Sequence, residues 1–364
     1  MTPLGRACKL LLWASHPRYA RRSAPCRCRS AVVRRKLEFG HESGVVRCAR
    51  PALGVDRRGR RAGFAAHARA RSRCNCRRCD VTRDAAPMKP TNFEFARATS
   101  LAEAATILRQ AAGTARVVAG GQSLGPMLNL RLVQPSILVD ITAIPELTHV
   151  EEHADGVVVG ACVTISDIED GRVRVEELPI LASVAGGVAY RAVRNRGTIG
   201  GSICHADPAG DWLPTLCALA AECIVTDGRR ARRVPIDQFV TGAFEVMLEP
   251  GELLQAIRIP RPSRAARCGY YKVCRKAGEF ALASGAVLLD GERDRFRAAI
   301  GATEGRPVVI ADARMILGGI PRPGAAVRLD ESAANELLGR AGLTTPARLH
   351  ITALTRAAAS AMAK

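Results

Sequence analysis

Two glycine-rich segments hold the residues best suited to chemistry: VVAGGQSLGPMLNLRL at 117–132 and RNRGTIGGSICHADPAGD at 194–211. Glycine has no Cβ, so paired glycines let consecutive backbone N–H groups turn toward one anion and let that anion come close. Two such segments suggest a dinucleotide diphosphate gripped from both sides. Neither reads GxGxxG followed by a helix and an acidic residue about 20 positions on, which points away from an ordinary nicotinamide domain.

The elements that must position these segments follow from periodicity and punctuation. Ser100 and Glu103 form a capping box for a helix over LAEAATILRQAA, which stops at Gly113. ARVVA at 115–119 is a buried strand that delivers the first glycine pair, and SILVDI at 136–141 is a second strand. THVEEH and VVVGA flank Asp155-Gly156 as a hairpin that separates two small lobes. One helix covers PILASVAGGVAYRAV, another covers DWLPTLCALAAE, and the strand CIVTD follows with its Asp227-Gly228 turn. ELLQAIRIP ends at Pro260, and PRPSRAARCG is a linker. Beyond it, YYKVCR, FALASGAVLLD and RFRAAIGA read as a small antiparallel sheet. Helices follow in ESAANELLGR and in PARLHITALTRAAASAMA, the last one starting at Thr345-Pro346. The alternation predicts an α+β protein.

Composition has to be divided before it is used. The 364 residues carry a formal charge of +20, which alone would suggest nucleic acid as a partner. Residues 1–87 hold 22 of the 54 basic and 5 of the 34 acidic side chains, a net of +17, which leaves +3 for residues 88–364. The basicity therefore belongs to a leader whose high charge and weak apolar clustering predict disorder. Met88 opens a sequence of globular character, so the leader reads as an artefact of start assignment, with an Arg-rich targeting peptide as the alternative. Seven of the 13 cysteines lie in the leader, and Cys74-x-Cys76-x-x-Cys79 matches a metal-ligand spacing in an arginine-rich setting unsuited to a fixed site. The remaining six, Cys162, Cys204, Cys217, Cys223, Cys268 and Cys274, sit among apolar residues as buried free thiols, so no metal site is expected.

The residues resemble a known family. VVAGGQSLGPMLNLRL, VRNRGTIGGSICHADPAGD, the ELLQAIRIP strand and YYKVCRKAGEFALASGAVL are similar, in order and spacing, to the FAD-binding medium subunit of the xanthine dehydrogenase and carbon monoxide dehydrogenase family of molybdenum hydroxylases. The resemblance spans residues 88 to about 362. It implies a two-lobed FAD-binding domain of the vanillyl-alcohol-oxidase type at 88–262, then a small α+β flavoprotein domain with an antiparallel sheet at 267–362.

Residue roles follow from that resemblance. Ala119, Gly120, Gly121, Gln122 and Ser123, flanked by Val118, Leu124 and Gly125, match the pyrophosphate segment. Thr198, Ile199, Gly200, Gly201 and Ser202 match the other half of the clamp. Asp211 falls where the family places a carboxylate on FAD, through a hydroxyl of its ribose portion; a helix N-cap is a compatible alternative. Leu254 and Lys272 align with positions near the flavin, where a lysine could stabilise the anionic reduced form. Read without the family, Leu254 is a core residue, Lys272 a solvated strand residue and His205 a packing residue. Val188 replaces an aromatic residue of xanthine dehydrogenases, and Glu279 stands where relatives commonly carry Asp.

Nothing after residue 87 reads as a molybdopterin segment or an iron–sulfur ligand set, so the resemblance implies partners: a molybdopterin-binding large subunit and a two-iron small subunit. Electrons would leave this chain's FAD for NAD, a quinone or oxygen, with no catalytic side chain required. A stand-alone FAD-dependent reductase or oxidase is the alternative. A nucleic-acid-binding protein acting through the leader is disfavoured by the lack of interleaved aromatics. LLLWA at 10–14 is too short to span a membrane, and a cytoplasmic location is expected.

Overall fold

The computed structural model describes residues 89–173, 176, 178–319, 328–340, 343 and 347–363. The leader with Cys74, Cys76 and Cys79, the start at Met88 and the Thr345-Pro346 helix start lie outside them.

The first lobe is built from β1 (Glu94–Arg97), the helix Leu101–Gln110, β2 (Ala115–Val118), the helix Leu124–Asn129 and β3 (Ile137–Asp140). Helical crossovers make the strands parallel, in the order β1-β3-β2. The Ser100 hydroxyl accepts the Glu103 amide at 3.2 Å and caps the first helix. The Glu103 carboxylate, however, reaches the Thr99 amide and hydroxyl, at 2.8 and 2.9 Å, so the return half of the expected box starts one residue earlier.

The second lobe is an antiparallel sheet of order β4-β5-β10-β6-β7, from β4 (Val150–His153), β5 (Gly156–Gly160), β6 (Glu222–Thr226), β7 (Ala231–Pro235) and β10 (Leu253–Pro260). β8 (Val240–Gly242) and β9 (Glu245–Val246) form a separate ribbon. Both expected turns are present, between β4 and β5 and between β6 and β7, the second with Gly228 at φ +86°. β10 slips register between Leu254 and Ala256, and the carbonyl of the bulged Gln255 accepts the Ala161 amide at 2.9 Å.

Among the described residues, five short helices connect β5 to β6: Ile165–Glu169, Ile180–Gly187, Arg191–Arg194, Ile199–His205 and Trp212–Ala218. The single helix expected over 179–193 is thus two helices. The break falls at Val188–Tyr190, where Ala189 adopts φ +43° after a glycine pair, and cationic side chains take over the carbonyls that the helix would have used.

The last sheet runs in sequence order through β11 (Arg267–Val273), β12 (Ala283–Asp290), β13 (Arg295–Gly301) and β14 (Val308–Ile310), all antiparallel. The helices Arg314–Leu317, Glu331–Arg340 and Ala347–Met362 follow, and the last packs on β11 and β12. Every residue of β12 is buried. Ala286 and Leu288 enter the same core as Trp212, Leu213 and Leu216, whereas Val287 and Leu289 face the terminal helix with Leu354 and Ala358. A strand buried on both faces reads as a continuous apolar run, as ASGAVLLD does. Trp212 is 1% exposed, and burial of such a side chain contributes about 2–3 kcal/mol. The architecture is the expected α+β arrangement of two lobes followed by a small antiparallel sheet. No described helix is long and apolar enough to cross a membrane.

Candidate functional site

The first glycine segment leaves the carboxyl end of β2, where open parallel sheets place their ligands. Val118 ends the strand and Ala119 is half-buried behind it. Gly120 is a close-approach glycine, since a Cβ there would overlap the Arg196 carbonyl of the second segment. The two segments are therefore in direct contact. Gly121 takes φ +70°, a turn that favours glycine, and Gln122 Nε2 closes it by donating to the Gly120 carbonyl at 3.1 Å. Gln122 and Ser123 are exposed, and Leu124 and Gly125 begin the short helix. The Gly125 amide returns to the Gly121 carbonyl at 2.8 Å. The amides of Gly121, Gln122, Ser123 and Leu124 have no acceptor among the described residues. A run of open amides and a free hydroxyl at Ser123 is a donor set for an anion.

The second segment differs from the expected loop. Thr198 is a helix N-cap whose hydroxyl accepts the Gly201 amide at 3.0 Å, and Ile199–His205 is helical. The Ile199 and Gly200 amides donate to the carbonyls of Val163 and Ala161, at 3.1 and 3.0 Å. Thr198, Ile199 and Gly200 are buried, whereas Gly201 is exposed and Ser202 half-buried. This segment thus leaves Gly201 exposed and Ser202 half-buried, while its first residues fasten it to the strand end after β5.

Asp211 begins the helix Trp212–Ala218 but makes no capping bond with its side chain. The carboxylate points across to β11. Lys272 Nζ sits 2.9 Å from Oδ1 and 3.2 Å from Oδ2, and the Tyr270 hydroxyl donates to Oδ1 at 2.5 Å. Both ends of the ion pair are about one-tenth exposed. Burial, reinforced by the Asp211 charge, raises the Tyr270 phenol well above its ordinary value, so it stays a neutral donor. Lys272 also donates to the Gly187 carbonyl at 2.9 Å. It is therefore a buried, paired lysine and not a solvated strand residue. Sequence reasoning missed Tyr270, although residues two apart on a strand share a face, and Lys272 was already a candidate.

The carbonyls after Gly187 are held as well. Arg194 donates to those of Val188 and Ala189 at 3.0 and 3.2 Å, and grips both oxygens of Glu169 at 2.8 and 2.9 Å. Arg191 joins Glu169 to Asp170. This network fixes the turn that carries Val188, and neither Glu169 nor Arg194 was singled out from sequence.

Leu254 is 4% exposed and lies in the core at the bulge of β10. His205 ends its helix and meets Phe244 in a tilted ring contact, with centroids 5.2 Å apart. Burial lowers the His205 pKa and raises that of Asp207, so burial disfavours the charged form of each. The six cysteines after residue 87 are free thiols, and no cluster able to hold a metal occurs among the described residues.

Comparison with known proteins decides the assignment. Residues 91–262 match the family model described as the FAD binding domain in molybdopterin dehydrogenase. The chain is 38% identical over 202 residues to the carbon monoxide dehydrogenase medium chain of Hydrogenophaga pseudoflava, covering 56% of this chain and 70% of that one. The chain belongs to the FAD-binding medium subunits of the molybdenum hydroxylases. A second relative of this medium subunit is the caffeine dehydrogenase subunit beta of Pseudomonas sp. (strain CBB1), 36% identical over 206 residues, which are 56% of this chain and 70% of that one. The solved CO dehydrogenase of Oligotropha carboxidovorans superposes with a TM-score of 0.66 at 29% identity, covering 75% of this medium subunit and 99% of that chain. Its cofactor is FAD. The open amides at Gly121–Leu124, the exposed Gly201, the half-buried Ser202 and a buried carboxylate with spare acceptor capacity fit a group with a diphosphate and sugar hydroxyls.

Proposed function

We propose that this chain is the electron-exit subunit of a molybdenum hydroxylase complex. A molybdopterin-binding large subunit oxidises the substrate, a two-iron small subunit relays the electrons, and an external acceptor (NAD, a quinone or oxygen) removes them at this chain. FAD, when bound, supplies the exchange of one or two electrons. The chain's own residues bind and orient: backbone donors at Gly121–Leu124 and the Ser123 hydroxyl hold the diphosphate from one side, while the exposed Gly201 lets it approach and the Ser202 hydroxyl donates from the other. Asp211 accepts a ribose hydroxyl, and Lys272 contributes positive charge on the flavin side. Leu254 backs the site through the core, and no side chain serves as nucleophile or general base. The division into an FAD-binding unit at 88–262 and a C-terminal unit at 267–362, and a cytoplasmic location, belong to the same reading.

The observation that carries it is the contact of the two glycine segments beside four backbone amides without acceptors among the described residues. The chain purified from cells should carry about one flavin per polypeptide, reducible by substrate only after the large and small subunits are added. Comparing NAD, quinone and oxygen as oxidants then identifies the acceptor. Substrate-driven reduction by the chain alone would instead favour a stand-alone oxidase or reductase, and purification without flavin would sink the proposal.

A further inference from the structure

We propose that Tyr270 is a positioning residue of the cofactor site, orienting the Asp211 carboxylate to receive a hydroxyl of FAD. This rests on the reading of Asp211 as a cofactor ligand. Asp211 stands at a helix start, but its side chain accepts no amide of that first turn. Its orientation is set from outside, by β11. Lys272 lies within reach of both carboxylate oxygens, and an ammonium is a point charge with little directional demand. The phenol O–H is directional, and at 2.5 Å it makes the shorter bond, on Oδ1 alone. A carboxylate offers about four lone-pair sites. Tyr270 takes one of these sites on Oδ1 and Lys272 donates to Oδ2 at 3.2 Å, so lone pairs remain for an incoming donor. The anchor itself is firm, since Tyr270 pairs with Ala286 of the fully buried β12.

The test uses the full chain stripped of flavin, with FAD affinity and flavin-free thermal midpoint measured for wild type, Tyr270→Phe, Asp211→Asn and the double variant. Tyr270→Phe keeps the ring. It should weaken FAD binding about tenfold while leaving the flavin-free midpoint within a few degrees of wild type. Asp211→Asn should weaken binding more, and the double variant should be no weaker than Asp211→Asn, because the phenol acts through the carboxylate. Wild-type affinity in Asp211→Asn would remove the ligand reading and this proposal with it. Weak binding by Asp211→Asn together with wild-type affinity in Tyr270→Phe, or losses that multiply in the double variant, would overturn the Tyr270 proposal alone. A large fall in the flavin-free midpoint of Tyr270→Phe would likewise count against it, as the mark of a merely structural role.

Discussion

Lys272 Nζ lies 2.9 Å from Asp211 Oδ1, joining a strand of the C-terminal sheet to the helix that follows the second glycine segment. Both side chains are about one-tenth exposed. Removing one partner of a buried pair leaves an uncompensated charge, so Lys272→Met should cost about 3–5 kcal/mol in urea unfolding. Combining it with Asp211→Asn should restore most of that loss. A loss well under 1 kcal/mol in the single variant would mean that water already screens the pair.

Gly120 and Gly125 should respond in opposite ways to alanine. At Gly120 the new Cβ overlaps the Arg196 carbonyl, which drives the two glycine segments apart. A cost of about 1–3 kcal/mol and loss of bound flavin are expected. At Gly125 a Cβ meets nothing within 4 Å and lies in a helix. Gly125→Ala should be neutral or stabilising by about 0.5–1 kcal/mol. Flavin absorbance per polypeptide after gel filtration, with unfolding midpoints, separates the two outcomes.

Arg194→Lys keeps the charge but loses the fork that serves Glu169 and two backbone carbonyls at once. We expect a loss of about 2 kcal/mol and faster hydrogen exchange at residues 188–190. Unchanged exchange there would show that the turn holds itself.

Alkaline pH should destabilise the chain steeply. Burial pushes the Cys162, Cys204 and Cys217 thiols up to about 12, and Cys223 higher still. An acid raised in the folded state stays neutral there, while the unfolded chain releases its proton above about 8.5. The unfolded state then binds fewer protons, so stability falls with rising pH. Each thiol removes about 1.4 kcal/mol per pH unit between roughly 9 and 12. Urea midpoints at pH 8 and pH 10 check this, and equal midpoints would contradict it.

Much of this arrangement is legible in the residues. Asp155-Gly156 and Asp227-Gly228 mark real hairpins: Gly228 takes a left-handed turn position that few residue types tolerate, whereas Gly156 opens β5 where a Cβ would overlap the Ile259 carbonyl. ASGAVLLD announces a strand buried on both faces. The second glycine segment was harder, since glycine suggests a loop, and the helix exists because Thr198 caps it and Ala161 leaves no room for a side chain at Gly200. The break at Val188–Tyr190 escaped for a related reason: it depends on Arg194 and Lys272, the latter 80-odd residues away, supplying donors to its carbonyls. The half-formed box at Ser100 shows the limit of spacing rules, because Glu103 finds two donors, an amide and a hydroxyl, on Thr99.

β12 has a consequence for how such a gene can be inherited. One face of the strand closes the core around Trp212 and Leu216, the other closes the core of the terminal helix. A reading frame ending after Pro260 would leave Trp212 facing water, and one beginning at Arg267 would leave Ala286 and Leu288 without a partner surface. Shuffling the two halves between genes as free-standing modules is therefore disfavoured, and duplication or fusion should carry them together.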